Sequence, residues 1–302
     1  ESTIEKLNEK SKEIQVSTTG LGAWAPSRIK SLTSCPLQFL LKSVIKVSFK
    51  SEMTEEDIKN DPARFFSKVG TAAHLIIELM ANGKTYEEAY EETKLKHFED
   101  VTPYHWNLVE ELEDNIRHFH LRIERFGVEN PIDKIEPETM YALDMDWKPV
   151  FKFSKNAYFR GIIDMPVRLK NRDALLIDHK RGGSAQYGIR MHEFQLKAYS
   201  LMYCAANKDI RGVVPMIHYI QEGSIAKGDY YPRDRVLEEF SKTIDSAIYG
   251  AVEQVQEFGK FKHKRGNTCQ YCEFQDLCKG GARGTANHLQ PIVEESKILF
   301  RS

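Results

Sequence analysis

Two aspartates fourteen residues apart carry the most chemical promise in this sequence: Asp164 in Gly161-Ile162-Ile163-Asp164 and Asp178 in Ile177-Asp178-His179-Lys180. The run Ala174-Leu175-Leu176-Ile177 leads into the second piece. Aliphatic residues surround both pieces and polar ones cluster at residues 170–173, which predicts two strands joined by a turn. Alternate strand residues share a face, so Asp178 and Lys180 point the same way. Burying either charge unpaired is costly. Two readings are open on this strand alone: a salt bridge closing a strand end, or a carboxylate and an ammonium held for a reaction.

A second constellation is Cys269, Cys272 and Cys278, spaced C-x2-C-x5-C. Thiolates at this spacing can approach one metal centre, and they suit zinc or an iron–sulfur cluster, each needing a fourth ligand. Cys35, in Ser34-Cys35-Pro36, is the candidate. The bland alternative is a set of free thiols. Cys204, alone in an apolar stretch, reads as core packing.

These residues need elements to hold them. From Ser27, a candidate N-cap, residues Ile29, Leu32, Cys35, Phe39 and Leu40 recur at helical period to about Val44, with Pro36 either kinking that helix or restarting it. After an acidic segment at residues 53–60, Asp61-Pro62 reads as the cap and first position of another helix. Its stripe of Phe65, Phe66, Val69, Ala72, Ala73, Ile76, Ile77 and Met80 places His74 and Glu78 four apart on a shared face. A helical histidine is ordinarily a packed or surface residue, which is the alternative to a ligand. Residues 85–98 and 104–126 read as two amphipathic helices, with Glu110, Glu111, Glu113 and Asp114 as a solvated face. Strands follow over residues 135–168, opened by Glu138 and clearest at 139–143 and 157–167. A helix at 191–206 carries Gln195 and Tyr199 four apart, and a strand at 213–220 and a long helix at 232–258 complete the order. This order predicts an α/β (α+β) core with a helical N-terminal elaboration.

With 302 residues, 41% hydrophobic and 29% charged, the composition is that of a soluble globular protein with a sizeable core. No run of eighteen apolar residues occurs and the first twenty residues are polar, so neither a membrane span nor a secretory signal is expected, and an intracellular location is. A formal net charge of −1 excludes coating of nucleic acid by bulk positive charge and leaves room for a local basic groove. Residues 1–26 read as a polar segment, 27–282 as a single domain and 283–302 as a tail.

Taken together, Gly70-Thr71-Ala72-Ala73-His74 with Glu78, Gly161-x-x-Asp164, Asp178-x-Lys180, Gln195-x-x-x-Tyr199 and the distant Cys35 plus C-x2-C-x5-C resemble the RecB-like exonuclease branch of the PD-(D/E)XK nuclease superfamily. The resemblance is closer still to its iron–sulfur members, such as the CRISPR-associated RecB-like exonucleases and the AddB nuclease domain. It implies a restriction-endonuclease-like core, a mixed sheet flanked by helices, with the Asp164 and Asp178 strands adjacent. By the same resemblance His74, Asp164, Asp178 and the backbone carbonyl of His179 hold Mg²⁺ or Mn²⁺, Lys180 assists hydrolysis, and Gln195 and Tyr199 orient the site. Glu78, Arg160 and Arg181 are weaker candidates for supporting the ligands or touching phosphates. The four cysteines Cys35, Cys269, Cys272 and Cys278 would hold a 4Fe-4S cluster, with Zn²⁺ as the alternative. The implied activity is a metal-dependent DNA exonuclease on single strands or duplex ends. It would serve recombination, repair or mobile-element processing, in the cytoplasm, nucleoid or a phage host, with a helicase or recombination partner. The alternatives are a structure-specific endonuclease or nickase, and a non-catalytic nucleic-acid-binding subunit.

Overall fold

The computed structural model describes residues 23–44, 62–96 and 103–258, with residues 14–15, 48–49, 264, 269, 272 and 274. The expected acidic segment at 53–60, Cys278 and the tail at 283–302 lie outside the described residues. The chain forms two compact units, one of residues 1–53 with 243–302 and one of residues 54–242.

In the first unit, helix α1 spans Pro26–Ser34 with Ala25 at its N-cap, so Ser27, expected as the cap, lies inside the first turn. Pro26 decides this, because a residue without an N–H and with fixed φ suits the first helical position. Cys35 is extended at φ −153° and Pro36 opens a second short helix, α2 (Pro36–Phe39), so the helix restarts at the proline rather than kinking. A π-type turn, Leu40–Val44, follows. Gln38 Nε2 donates to Cys272 Sγ at 3.8 Å, Lys264 Nζ donates to the Thr33 carbonyl at 3.5 Å, and Cys269 Sγ donates to the Lys264 carbonyl at 3.8 Å. The described part of the cysteine loop therefore lies against α1 and α2.

The second unit opens with four helices, α3 (Pro62–Ala81), α4 (Tyr86–Lys96), α5 (Pro103–Glu110) and α6 (Glu113–Glu129). Thr85 and Glu88 cap α4 reciprocally, each side chain accepting the other's backbone N–H at 3.2 and 3.0 Å. The single helix expected over 104–126 is two, broken at Glu111 and Leu112. The acidic run there is only partly a solvated face: Glu110 accepts from Tyr90 Oη at 2.7 Å and Glu113 from Arg117 Nε at 2.7 Å.

Strands β1 (Ile132–Ile135), β2 (Thr139–Leu143), β3 (Phe159–Ile163), β4 (Met165–Leu169) and β5 (Asp173–Lys180) follow. After helix α7 (Glu193–Ala206) come β6 (Gly212–Tyr219), β7 (Ser224–Lys227) and β8 (Tyr231–Pro232). Helix α8 (Ser241–Phe258) belongs from Thr243 onward to the first unit. The six-stranded sheet runs β8-β6-β5-β4-β1 with β7 also on β6, while β2 and β3 form their own hairpin. Among the described strands only β5 and β6 run parallel, as a crossover through α7 requires. The core is thus a mixed sheet flanked by helices.

One face of the sheet, through Met165, Val167, Leu175 and Ile177, packs on Val69, Ala73 and Ile76 of α3 and Ile116 and Phe119 of α6. On the other, Leu196 of α7 packs on Ile217 and Tyr219. β5 is buried from Ala174 to His179, so its alternation sends Ile177 and His179 towards α3 and α6, and Asp178 and Lys180 towards α7.

The chain leaves β5 through Gly183, at φ +111°, where an added Cβ would stand 2.6 Å from Tyr219 Cε1. That ring is itself held by its hydroxyl, which donates to the Gly188 carbonyl at 3.2 Å. Gly183→Ala is expected to destabilise the fold by roughly 1–3 kcal/mol. Denaturant titration measures this, and a variant as stable as the parent contradicts it.

Candidate active site

Asp164 occupies the one-residue junction between β3 and β4, where the chain leaves the β2–β3 hairpin and enters the main sheet. β4 and β5 pair with Met165 opposite Ile177, so Asp164 and Asp178 end up side by side. The His179 backbone N–H donates to Asp164 Oδ2 at 2.7 Å, tying the two strands together at that point. On the hairpin's other strand the Glu138 N–H donates to the Asp164 carbonyl at 2.8 Å. Glu138 has φ +49°, and this left-handed turn accompanies a carboxylate that stands beside His74.

His74, from α3, completes the group. Its Nδ1 is 3.6 Å from Asp164 Oδ2 and 3.9 Å from Glu138 Oε1. One donor atom from each of His74, Glu138 and Asp164 lies within 4.8 Å of the other two. Glu138 was expected only as the start of the sheet. Nothing in its local sequence marks it, because its position follows from a backbone hydrogen bond to Asp164 across the hairpin.

Asp178, beside Asp164 but outside that 4.8 Å group, is fully buried. Gln195 Nε2 donates to Asp178 Oδ1 at 3.1 Å and to Tyr199 Oη at 2.6 Å, so α7 fixes one carboxylate oxygen. Lys180 Nζ is 2.7 Å from Oδ2, a charge contact outside hydrogen-bonding angles that leaves Oδ2 without a hydrogen-bond partner among the described residues. Gly161 lets α7 come this close: an added Cβ would meet Met202 Cε at 2.5 Å and Tyr199 Cε1 at 3.6 Å.

Charge crowding governs protonation here. Burial, then the Asp178 charge, push the Asp164 carboxyl up to about 7, against the pull of His74. Burial alone would lower the His74 imidazole, but Glu138, Asp164 and Asp178 outweigh it and hold it above its ordinary value. Glu78, one turn along α3, is raised by burial and by Glu138, so it belongs to the same acidic surroundings. Burial and the Asp178 charge keep the Tyr199 hydroxyl protonated well above its usual range.

The remaining expected residues divide. The His179 ring points away from the carboxylates into a buried group, its Nδ1 3.0 Å from His218 Nδ1 and its edge on Phe119 at 5.1 Å. Its backbone N–H reaches Asp164, and its ring meets the His74 ring edge to face at 5.6 Å. Arg160 donates through Nη2 to the Ser154 carbonyl at 2.7 Å, so its guanidinium braces the hairpin. Arg181 follows β5 and its backbone carbonyl accepts from the Gln221 N–H at 3.0 Å; burial lowers its guanidinium.

A family model described as the PD-(D/E)XK nuclease superfamily matches residues 23–279. The chain belongs to the PD-(D/E)XK nuclease superfamily. Among solved structures, the crystal structure of SSO0001 is similar over 91% of this chain and 93% of that chain, at 14% identity and a TM-score of 0.35. No curated protein matches. Superfamily membership implies a nuclease that uses divalent metal, and the residues present fit one. Oxygen donors from Glu138 and Asp164 beside a nitrogen from His74, with a buried oxygen of Asp178 lacking a hydrogen bond, make a mixed donor set. Carboxylate oxygens suit Mg²⁺ and Mn²⁺, and the imidazole favours Mn²⁺.

The proton on Asp164 gives this fit a pH signature. Its folded value lies above that of the unfolded chain, near 4. The contribution to stability is therefore complete below about pH 4 and is lost as pH rises through about 7. A divalent ion competes with that proton. Melting curves are expected to show the metal-free protein losing stability over this window, and Mn²⁺ raising the Tm far more at about pH 8 than at about pH 5. Asp164→Asn should weaken both trends, with His74 and Glu78 carrying what remains, and an Mn²⁺ effect independent of pH contradicts the assignment.

Proposed function

We propose that the protein is a divalent-metal-dependent deoxyribonuclease of the RecB-like branch, acting as an exonuclease on single-stranded DNA or DNA ends. The observation that carries this reading is the convergence of His74, Glu138 and Asp164 beside a buried Asp178 whose Oδ2 is ion-paired with the Lys180 ammonium. A bound ion would activate water and offset charge on the scissile phosphate. Lys180, reaching the site from the strand that carries Asp178, sets a positive charge where a phosphate oxygen gains negative charge in the transition state. Gln195, itself held by Tyr199, prevents the Asp178 carboxylate from rotating. His179 contributes its backbone: the N–H orients Asp164, and the carbonyl is the proposed further ligand.

The cysteines Cys35, Cys269, Cys272 and Cys278 are proposed to hold a 4Fe-4S cluster, with zinc as the other thiolate-compatible choice. Closure of Cys269 and Cys272 onto α1 and α2 through Lys264 and Gln38 supports that reading. A helicase or recombination partner is proposed on the branch resemblance alone.

End-labelled linear DNA and covalently closed circles, each single- and double-stranded, separate the readings when incubated with Mg²⁺ or Mn²⁺. Release of label from linear DNA alone is the expected result, and cutting of circles would assign an endonuclease instead. Asp178→Asn and Lys180→Ala should each lower the rate about a hundredfold or more. Gln195→Ala should lower it by about tenfold or more. Parent-like rates for the first two would remove the site. Visible absorption that bleaches on reduction is the expected cofactor signature, and stoichiometric zinc in a colourless protein would replace the cluster.

A further inference from the structure

The β2–β3 hairpin joins Glu138 and Asp164 at its open end, and its strands end at Leu143 and Phe159. From Asp164 back to Phe159 is about 17 Å of extended strand, the rise of roughly five nucleotides stacked as in a duplex strand. Beyond Leu143 and Phe159 the connecting residues 144–158 form a built structure. Asp144 Oδ1 accepts from the backbone N–H groups of Asp146 and Lys148 at 3.0 and 2.8 Å, and Leu143 bridges to Pro149. Trp147 packs on Tyr158 and Phe159, with centroids 5.7 and 5.6 Å away. The Ser154 N–H closes a turn onto the Phe151 carbonyl at 2.7 Å, and Arg160 clamps the Ser154 carbonyl from below.

On this braced tip two phenylalanines face solvent. Phe151 is 70% exposed and Phe153 64%, with their rings edge to face at 5.6 Å. Lys152 lies over the Phe153 ring at 5.3 Å, and Lys148 and Lys155 flank the pair. Among the described residues Lys152 and Lys155 form no ion pair, and Lys148 has only the exposed Asp146, at 3.1 Å. An exposed apolar pair held out by its own turn, rather than folded down as Trp147 is, needs an occupant. Aromatic faces interleaved with ammonium groups match one chemistry well: unpaired bases that stack and phosphates that pair with lysine. A duplex does not offer the faces of its bases, because they are already stacked on each other.

We propose that the hairpin tip is a stacking platform for bases of a single-stranded nucleic acid, set at the far end of the element that carries Glu138 and Asp164. The placement rests on the nuclease reading; the binding itself does not. Phe151 and Phe153 take the bases, Lys148, Lys152 and Lys155 take the backbone, and the rigid turn presents them without an ordering step.

The test is fluorescence anisotropy in EDTA, so that no strand is cut, with a labelled fifteen-residue oligothymidylate and an abasic strand of equal length and charge. The parent should prefer the strand with bases. Phe151→Ala/Phe153→Ala should weaken that strand about tenfold or more while changing the abasic strand little, which removes the preference. Both side chains are exposed, so an unchanged Tm is expected, and Phe151→Trp/Phe153→Trp should keep the preference. Equal affinity of the parent for the two strands, no binding of either, or equal losses on both overturns the proposal. A dimer in sedimentation that the alanine pair dissociates, without base preference, assigns the face to a second copy of the chain. A protein that shows the preference but hydrolyses no DNA sinks the nuclease reading and keeps the platform. One that hydrolyses DNA without the preference does the reverse.

Discussion

Crowding of like charge is the constraint on which this structure turns. Glu138, Asp164 and Asp178 are brought to one place with Glu78 nearby; Asp178 is fully buried and the Asp164 side chain is only 12% exposed, so water screens the pair poorly. In a low-dielectric setting such a group is unfavourable unless cations join it. The chain supplies two of its own: the Lys180 ammonium against Asp178, and an imidazole at His74 whose proton is stabilised by the surrounding acids. Even so, Asp164 keeps its proton up to about pH 7. A proton on a strand-junction carboxylate and a proton on a histidine are the charges a divalent ion would displace.

The fold can be understood as the frame that enforces this crowding. Antiparallel pairing of β4 and β5 sets the two aspartates abreast, and the parallel neighbour β6 buries the strand that carries Asp178. The β2–β3 hairpin adds Glu138 through one backbone hydrogen bond. Helix α3 delivers His74 from one side of the sheet, and α7 delivers Gln195 and Tyr199 from the other. Because both helices are anchored by apolar packing, with Ala73 and Ile76 on one and Leu196 on the other, the polar side chains have little freedom to relax apart. Folding energy from the apolar layers thus holds a polar arrangement that would otherwise spread.

Much of this was legible in the sequence wherever a period or a spacing carried it. Alternation along residues 174–180 placed Asp178 and Lys180 on one face, helical spacing put Gln195 and Tyr199 together, and Pro62 marked the start of α3. The superfamily followed from those motifs in their order. Glu138 was not legible as part of the site, because its place depends on strand pairing with residues more than twenty positions away and on a left-handed backbone that ordinary residues rarely adopt. The break between α5 and α6 was missed for a related reason: an unbroken helical period runs through Leu108, Leu112 and Ile116 although the backbone turns between them. The strands β7 and β8 have four and two residues, too few to show a period. The exposed pair Phe151 and Phe153 reads in sequence as ordinary hydrophobic alternation, and only burial reveals that both face water.

The most direct test of the metal centre is anomalous diffraction from crystals grown with Mn²⁺. The account predicts a strong peak among His74, Glu138 and Asp164, at about 2.0–2.6 Å from carboxylate oxygens as hard cations require, and close to Asp178 Oδ2. Crystals that bind Mn²⁺ only elsewhere, or that show these side chains unchanged and without a peak at saturating Mn²⁺, would contradict it.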